Sequence, residues 1–576
     1  MARTVLDVQH LVEPHNLAAE IANRWVEFDS FRDHWKEEKK ELRNYVYATD
    51  TSSTSNNKLP WSNSTTTPKL TQIYDNLKAN YSAALFPNSN WMRWEGDDPS
   101  SNSREKAKVV QAYIQNKLRQ AKFETTADSL IDDFVLYGNC FATVSFEQTY
   151  NEVDDQLIPG YIGPKLTRIS PYDIVFDPTA ATFESSPKII RTLTSLGEIQ
   201  KWVEEGASEY EDIFNKILSN RAEVASAAQT EKSEAYVADG FNSIEHYYKS
   251  GFVEILTFYG DIFDIDERKL KTNRKITVVD RAYIATDEPI ASWLGRTPVF
   301  HAGWRSRPDN LWAMGPLDNL VGMQYRIDHL ENLKADVFDQ IALPMLKIRG
   351  DVEDFEYEPG GRIYMGEEGD VAPLVPDSTA LNADLQIQVL ENKMEEMAGA
   401  PRQAMGIRTP GEKTAFEVQT LQNAASRIFQ HKAAKFEREF IEPVLNSMLE
   451  SSRRNMDSVD IIRVLDDETG AIFFKQISKE DITAKGNIVP MGARHFAERA
   501  QRIQNLTQML QLKQDPSVGA HLSGKEIARV ISEELGEEKL FGENIAIQEQ
   551  METQSVAQDA EADMMENMQI AAEEGL

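Results

Sequence analysis

Between Gly315 and Leu343, Leu320, Met323, Ile327, Leu330, Val337 and Ile341 fall on the a and d positions of a heptad, and Lys334 breaks one a position. Such a run specifies a long helix, about 43 Å at ~1.5 Å per residue, with one apolar stripe to cover. Pro316 stands where a first helical turn tolerates it, and Pro344 closes the run. Residues 345–377, with Gly/Pro turns between short apolar runs, read as short strands. From Ser378 to Ala400 a helical pattern returns. The chain therefore contains a strut helix, a small β-rich insert and a helix that comes back beside the strut.

The returning helix leads into PRQAMGIRTPGEKT and then a long helical pattern from Thr414 to Glu450. Thr414 and Glu417 have capping-box spacing. Val418, Leu421, Ala425, Ile428, Phe436, Phe440, Val444 and Met448 then mark one buried face, and Pro443 is expected to bend or end the helix. Residues 344–377 hold nine acids against Lys347, Arg349 and Arg362, whereas residues 401–413 hold Arg402, Arg408 and Lys413 against Glu412 alone. The loop is a basic island in acidic surroundings. It also approaches the phosphate-binding pattern G-x-x-x-x-G-K-[ST], but Glu412 separates Gly411 from Lys413 and no buried strand precedes it, so a nucleotide site is not expected.

Upstream, Leu17, Ile21, Trp25, Phe28, Trp35, Leu42 and Tyr45 mark one long amphipathic helix from about 15 to 48, and aromatics this dense suggest a large partner surface. The Ser/Thr/Asn stretch that follows reads as a flexible loop over 49–68. Helices are expected over 70–85, 103–121 and 124–137, and a half-buried strand through Cys140, Ala142, Val144 and Phe146. Residues 138–300 read as mixed α/β, with an Ala/Ser-rich acidic insertion of marginal order at 205–245. A small strand pair follows residue 450, then a helical pattern over 494–514. Residues 551–576 carry no Lys or Arg and form either a terminal helix or an acidic tail.

The 61 basic residues against 93 acidic ones leave a net charge of −32, so any DNA contact must come from local cations. No apolar run approaches the roughly 18 residues of a membrane span, and the first residues lack the unbroken apolar stretch of a signal peptide. Cys140 is the single cysteine, which excludes an internal disulfide. The nine histidines show no ligand spacing and G-x-S-x-G is absent. Neither an enzyme nor a metal or other cofactor is expected.

The order of parts, carried by RISPYDIVFDPTA (168–180), VEILTFYGDIFD (253–264), WAMGPLDNLVGMQYRIDHLENLKADVFDQ (312–340), GEKTAFEVQTLQNAASRIFQ (411–430) and ITAKGNIVPMGARHFAERAQRIQNL (482–506), resembles the portal proteins, or head-tail connectors, of short-tailed bacteriophages. The resemblance implies a mainly α fold with an α+β wing. Residues 1–314 would be the wing, 315–343 and 378–400 the stem helices, and 344–377 the clip. Residues 401–413 would form a tunnel loop, 414–491 the long wing helix with its strand pair, and 492–576 a crown of C-terminal helices and acidic tail. It further implies a ring, usually of twelve copies, at one capsid vertex of the virion, assembled in the host cytoplasm, with no membrane partner. Double-stranded DNA would pass weakly through it during packaging and ejection. Its partners would be a terminase motor, tail adaptors, and capsid and scaffolding proteins. Arg402, Arg408 and Lys413 would face the DNA, and Lys347, Arg349, Asp354 and Arg362 would belong to the docking clip. The alternative is a scaffold or adaptor ring with no conduit role.

Overall fold

The computed structural model describes residues 5–9, 14–47, 63, 65–87, 91–97, 104–153, 156–219, 252–353, 363–374, 382–398, 428–456, 460–465, 472–483 and 486–492. Their fold is α+β. One six-stranded sheet is built around Phe252–Asp264, which pairs antiparallel with Lys188–Ser195 along its first part. Lys188–Ser195 leaves the last residues of that edge open. There Val5–Val8 adds in parallel, Val5 opposite Asp261 and Val8 opposite Asp264. Ile174–Phe176 lies outside Lys188–Ser195, and Lys269–Val279 and Tyr283–Pro289 extend the other side.

Alternation along the central strand sends Leu256, Phe258 and Ile262 to one face and Val253 and Ile255 to the other. The helix Pro14–Ser30 covers the first face with Leu17, Ile21, Trp25 and Phe28. Leu196–Glu204 and Glu211–Ser219 cover the second with Ile199, Ile213 and Ile217. The start of the segment expected to have marginal order, up to Ser219, is thus packed helix. Residues 220–251 lie outside the described residues.

The amphipathic run expected over 15–48 is two helices, Pro14–Ser30 and Asp33–Tyr47. Arg32 is the cause. Its buried guanidinium donates to the carbonyls of Pro171 (2.5 Å), Tyr172 (2.7 Å) and Ile174 (3.0 Å), and Nε donates to Asp29 (2.7 Å). An arginine turned into that carbonyl cluster sets the corner between the helices. The aromatics also have a different use from the partner surface expected of them. Trp25, Phe28, Trp35 and Tyr45 are buried within the chain, and Trp35 packs on Trp312 (4.8 Å between centroids) and Tyr172 (5.6 Å).

The largest core joins Asp33–Tyr47 to Lys69–Leu85, Arg104–Gln120 and Phe123–Leu136, and to the three-stranded sheet Val299–Gly303, Asn139–Val153, Gln156–Ile169. The far helix enters the same core through Phe436, Phe440, Val444 and Met448. Pro443 does not end it. Proline lacks the N–H that an α-turn needs, and the helix widens into a π-turn at Glu437–Ile441, with Glu442 N–H bonded to Glu437 O, before continuing to Asn455. Strands Asp460–Leu465 and Ile472–Ile477 form the small pair after it, and Gly486–Pro490 returns to pair with Met92–Gly96. Among the described residues no helix is long and apolar enough to cross a membrane.

Arg32→Met keeps much of the side-chain volume but removes the donor that three buried carbonyls share, of which Tyr172 O keeps a 3.4 Å bond from Arg191. The expected loss is about 3 kcal/mol or more, read as a lower urea midpoint with an unchanged m-value.

Candidate functional site

The strut begins where two backbones touch. Gly138 has φ +73°, and a Cβ there would lie 2.3 Å from the backbone N of Gly315, so Gly138 needs the absence of a side chain. Asn139, in the next position, exchanges hydrogen bonds with Ala313, Nδ2 to O at 2.8 Å and N–H to Oδ1 at 2.9 Å. Its Oδ1 also accepts from His301 Nε2 (3.0 Å). Burial holds the His301 imidazole neutral, pushed down to about 3, which leaves one nitrogen free to carry that proton. Asp318 completes the base. It accepts the Gly315 N–H (2.8 Å) through one oxygen and the buried Lys39 ammonium through the other.

From this base a 3-10 turn, Asp318–Leu320, opens the helix Val321–Ala342. The turn shortens the helix to about 33 Å against the 43 Å expected. Its apolar stripe is covered along its length: Leu320, Ile327 and Val337 are buried and Met323, Leu330 and Ile341 partly so, whereas Leu333, Phe338 and Leu343, which lie off the stripe, are exposed. The returning helix Asp384–Ala398 buries Ile387, Met394 and Ala398 and leaves Leu385, Val389 and Met397 open. Two ion pairs fix it. Lys334 donates to Asp384 (2.6 Å), which gives the residue that broke the heptad its purpose and raises its pKa. At the other end Glu395 accepts from Lys69 (2.6 Å), both buried. A groove of about 390 Å³ beside the pair is lined by Arg326, Leu385, Gln386, Val389 and Leu390.

The insert between the helices is a two-stranded ribbon, Met345–Arg349 against Asp370–Leu374, continued by a bridge between Val352 and Met365. At Gly350 (φ +79°) a Cβ would meet Glu368 O at 2.3 Å, so the ribbon bends there only with glycine. Lys347 and Arg349 are exposed on one face of the ribbon, Arg349 opposite Asp370 in register. Met345, Ile348, Tyr364 and Leu374 are also more than half exposed. Two-stranded ribbons are marginal alone, and this one presents apolar residues to solvent. Asp354 and Arg362, and the whole loop with Arg402, Arg408 and Lys413, lie outside the described residues, as do the Thr414–Glu417 cap and residues 493–576.

Sequence reasoning missed what lies along the strut. Residues 65–68, with Asn63, were included in a flexible loop, yet they run along the helix. Asn63 donates to Asp336 (2.5 Å) and Asp339 (2.8 Å), and Thr65 exchanges two bonds with Asn332 (2.8 and 2.9 Å). Thr67 N–H donates to Asp328 (2.9 Å), and Gln324 Nε2 donates to Thr67 O (2.6 Å) while its Oε1 accepts from Leu70 N–H (3.1 Å). Steps of two residues in the strap match steps of four in the helix because ~6.6 Å of extended chain nearly equals ~6.0 Å of helix rise. The signal was present in Gln324, Asp328, Asn332 and Asp336, four hydrogen-bonding side chains at i+4 spacing. Burial raises the Asp328 carboxyl to about 6, and its Oδ2 has no hydrogen-bond partner.

Glu395→Ala leaves the buried Lys69 ammonium without a counter-charge, held by Gln72 Oε1 alone (2.9 Å), for an expected loss of about 3–5 kcal/mol in chemical denaturation. The double replacement Lys69→Met, Glu395→Leu removes both charges and is expected to recover most of it.

Residues 18–151 match the family of bacteriophage head to tail connecting proteins. No curated protein matches the chain. The matched stretch holds Lys39, Lys69 and Asn139, the residues that secure the base of the strut and its returning helix. The match supports a phage connector role for this chain.

Proposed function

We propose that this chain is a portal-type connector of a short-tailed phage: a ring of twelve copies at one capsid vertex through which double-stranded DNA is packaged and ejected. The clip ribbon is its docking platform for the packaging motor and tail, with Lys347, Arg349, Asp354 and Arg362 at the contact. It works without catalysis. The observation that carries this reading is the uncovered apolar surface at the far end of the strut, supported by the connector-family match over residues 18–151. Phe338, Leu385 and Met345 are 63%, 74% and 73% exposed on two adjacent helices and a ribbon that the chain otherwise anchors with buried ion pairs. Monomers seldom leave a contiguous apolar patch open, and a second copy of the same hairpin covers it in a ring.

In a ring the net charge of −32 per copy disfavours a tight counterion-releasing hold on DNA, as a conduit requires. Sparse cations at Arg402, Arg408 and Lys413 then touch phosphates and release them, each contact screened within about 10 Å at moderate salt.

Phe338→Glu with Leu385→Glu places charges on positions already open to solvent, so the fold is expected to persist while the assembled particle falls to monomer in sedimentation velocity. Unchanged assembly contradicts the reading of this surface. Separately, replacing Arg402, Arg408 and Lys413 with Ala is expected to leave the ring intact and to change packaging or DNA retention in assembled heads. Unchanged retention favours the scaffold without a conduit.

A further inference from the structure

Most buried cations among the described residues have a carboxylate: Lys69 has Glu395, Arg191 has Asp173, and the Arg partners of the buried Asp133 and Glu254 are Arg168 and Arg281. With 93 acids against 61 bases such pairing is the default. Lys188 departs from it, held by the carbonyls of Phe183 and Glu184 and by Thr297, and so does a cluster where the hairpin Arg305–Arg307/Asn310–Met314 meets the helix that carries Lys432 and Lys435.

The cluster is built, not merely adjacent. Strand Val299–Gly303 ends by turning two carbonyls toward the helix. Lys435 Nζ donates to Gly303 O (2.9 Å) and to Ser306 Oγ (2.8 Å), and Lys432 Nζ donates to Trp304 O (2.7 Å). Trp304 is buried, its indole N–H held by Tyr81 OH (2.9 Å). The ring takes two cations at once, Lys432 at 4.6 Å from its centroid and Arg305 at 5.0 Å. Arg305 and Arg307 are exposed on the hairpin. The acidic neighbours are few. Glu439 lies 3.6 Å from Lys435 and 3.6 Å from Arg438, and Asp309 occupies the hairpin turn. Among the described residues no carboxylate comes within ion-pairing distance of Arg305, Arg307 or Lys432. Burial lowers the Lys432 pKa, and the like charges of Lys435 and Arg305 lower it further, with Glu439 pulling the other way. Cations packed this way repel one another, and an anion relieves the repulsion.

We propose that Arg305, Arg307, Lys432 and Lys435 form a binding site for the phosphodiester backbone of double-stranded DNA, separate from Arg402, Arg408 and Lys413. The proposal rests on the conduit reading and adds a second contact to it. The donor set favours a duplex over an acidic peptide. Two guanidiniums sit on one short strand whose register with its partner shifts between Arg305 and Arg307, and the two ammoniums are fixed by carbonyls. A rigid array of point charges suits a rigid polyanion, and duplex DNA carries one charge per ~1.7 Å of axis. An acidic peptide is flexible and less densely charged.

The test is a salt titration of the assembled full-length protein with a short blunt-ended DNA duplex, read by fluorescence anisotropy, with poly-glutamate as the competing probe. Arg305→Gln with Arg307→Gln is expected to reduce the slope of log affinity against log salt by roughly two, and Arg305→Lys with Arg307→Lys to restore it. Both variants replace exposed side chains, and sedimentation checks that assembly is intact. An unchanged slope in the Gln variant overturns the site, as does a wild-type protein that binds poly-glutamate but no duplex. The variant with Ala at 402, 408 and 413 runs in the same titration. If it keeps its slope while the Gln variant loses its own, the hairpin site stands and the tunnel-loop contact fails. The reverse pattern overturns the hairpin site and leaves the loop contact standing.

Discussion

Asp318 holds the strut to the rest of the chain: one carboxylate oxygen accepts the Gly315 N–H at the turn into the helix, and the other accepts the buried Lys39 ammonium from Asp33–Tyr47. Without that grip, the close approach of Gly138 and Gly315 and the Asn139–Ala313 exchange would join only strand ends and a turn at the base of the helix. The ammonium is buried deeply enough to lower its pKa, and Asp318 is the charge that pulls the other way. A projecting hairpin transmits a load only if its base is stiff, and in this chain the buried polar contacts are concentrated at the base while the apolar surface opens toward the tip.

The strut is further stiffened along one side by a segment with no regular structure of its own. The strap from Asn63 to Thr67 borrows the helix as its pairing partner, with Asp336, Asn332, Asp328 and Gln324 taking the place that a neighbouring strand takes in a sheet. The polar face of the strut is therefore occupied, and the apolar residues left open are Leu333, Phe338 and Leu343, beside the heptad stripe. The same division explains why Lys334 is tolerated at a heptad position: it turns to Asp384 and ties the returning helix to the strut.

Much of this was legible in the sequence because it rests on local periodicity. The heptad through Leu320 and Ile327, the Pro344 stop, the strands through Cys140 and Val253, and the helices around Leu77 and Ile131 all follow from residues within a few positions of one another. What was not legible depends on distant partners. Arg32 breaks a helix for carbonyls at 171–174, Val5–Val8 becomes a strand only because Lys188–Ser195 stops short on the central strand, and Trp35 finds Trp312 rather than another chain. The helix through Pro443 survives through a π-turn, which no propensity scale anticipates. Of the residues singled out for function, Lys347 and Arg349 stand exposed on the ribbon, while Asp354, Arg362, Arg402, Arg408 and Lys413 fall outside the described residues. The Arg305–Lys435 cluster escaped notice because its four cations come from two stretches more than a hundred positions apart, each unremarkable alone.

The account turns on the open apolar end of the hairpin being a contact between copies around a channel. A cryo-EM reconstruction of the purified full-length protein tests that directly. The account predicts a closed ring whose channel wall is formed by Val321–Ala342 and Asp384–Ala398, with Phe338 and Leu385 buried between neighbouring copies. A monomer, or a ring in which that hairpin projects into solvent away from the axis, contradicts it.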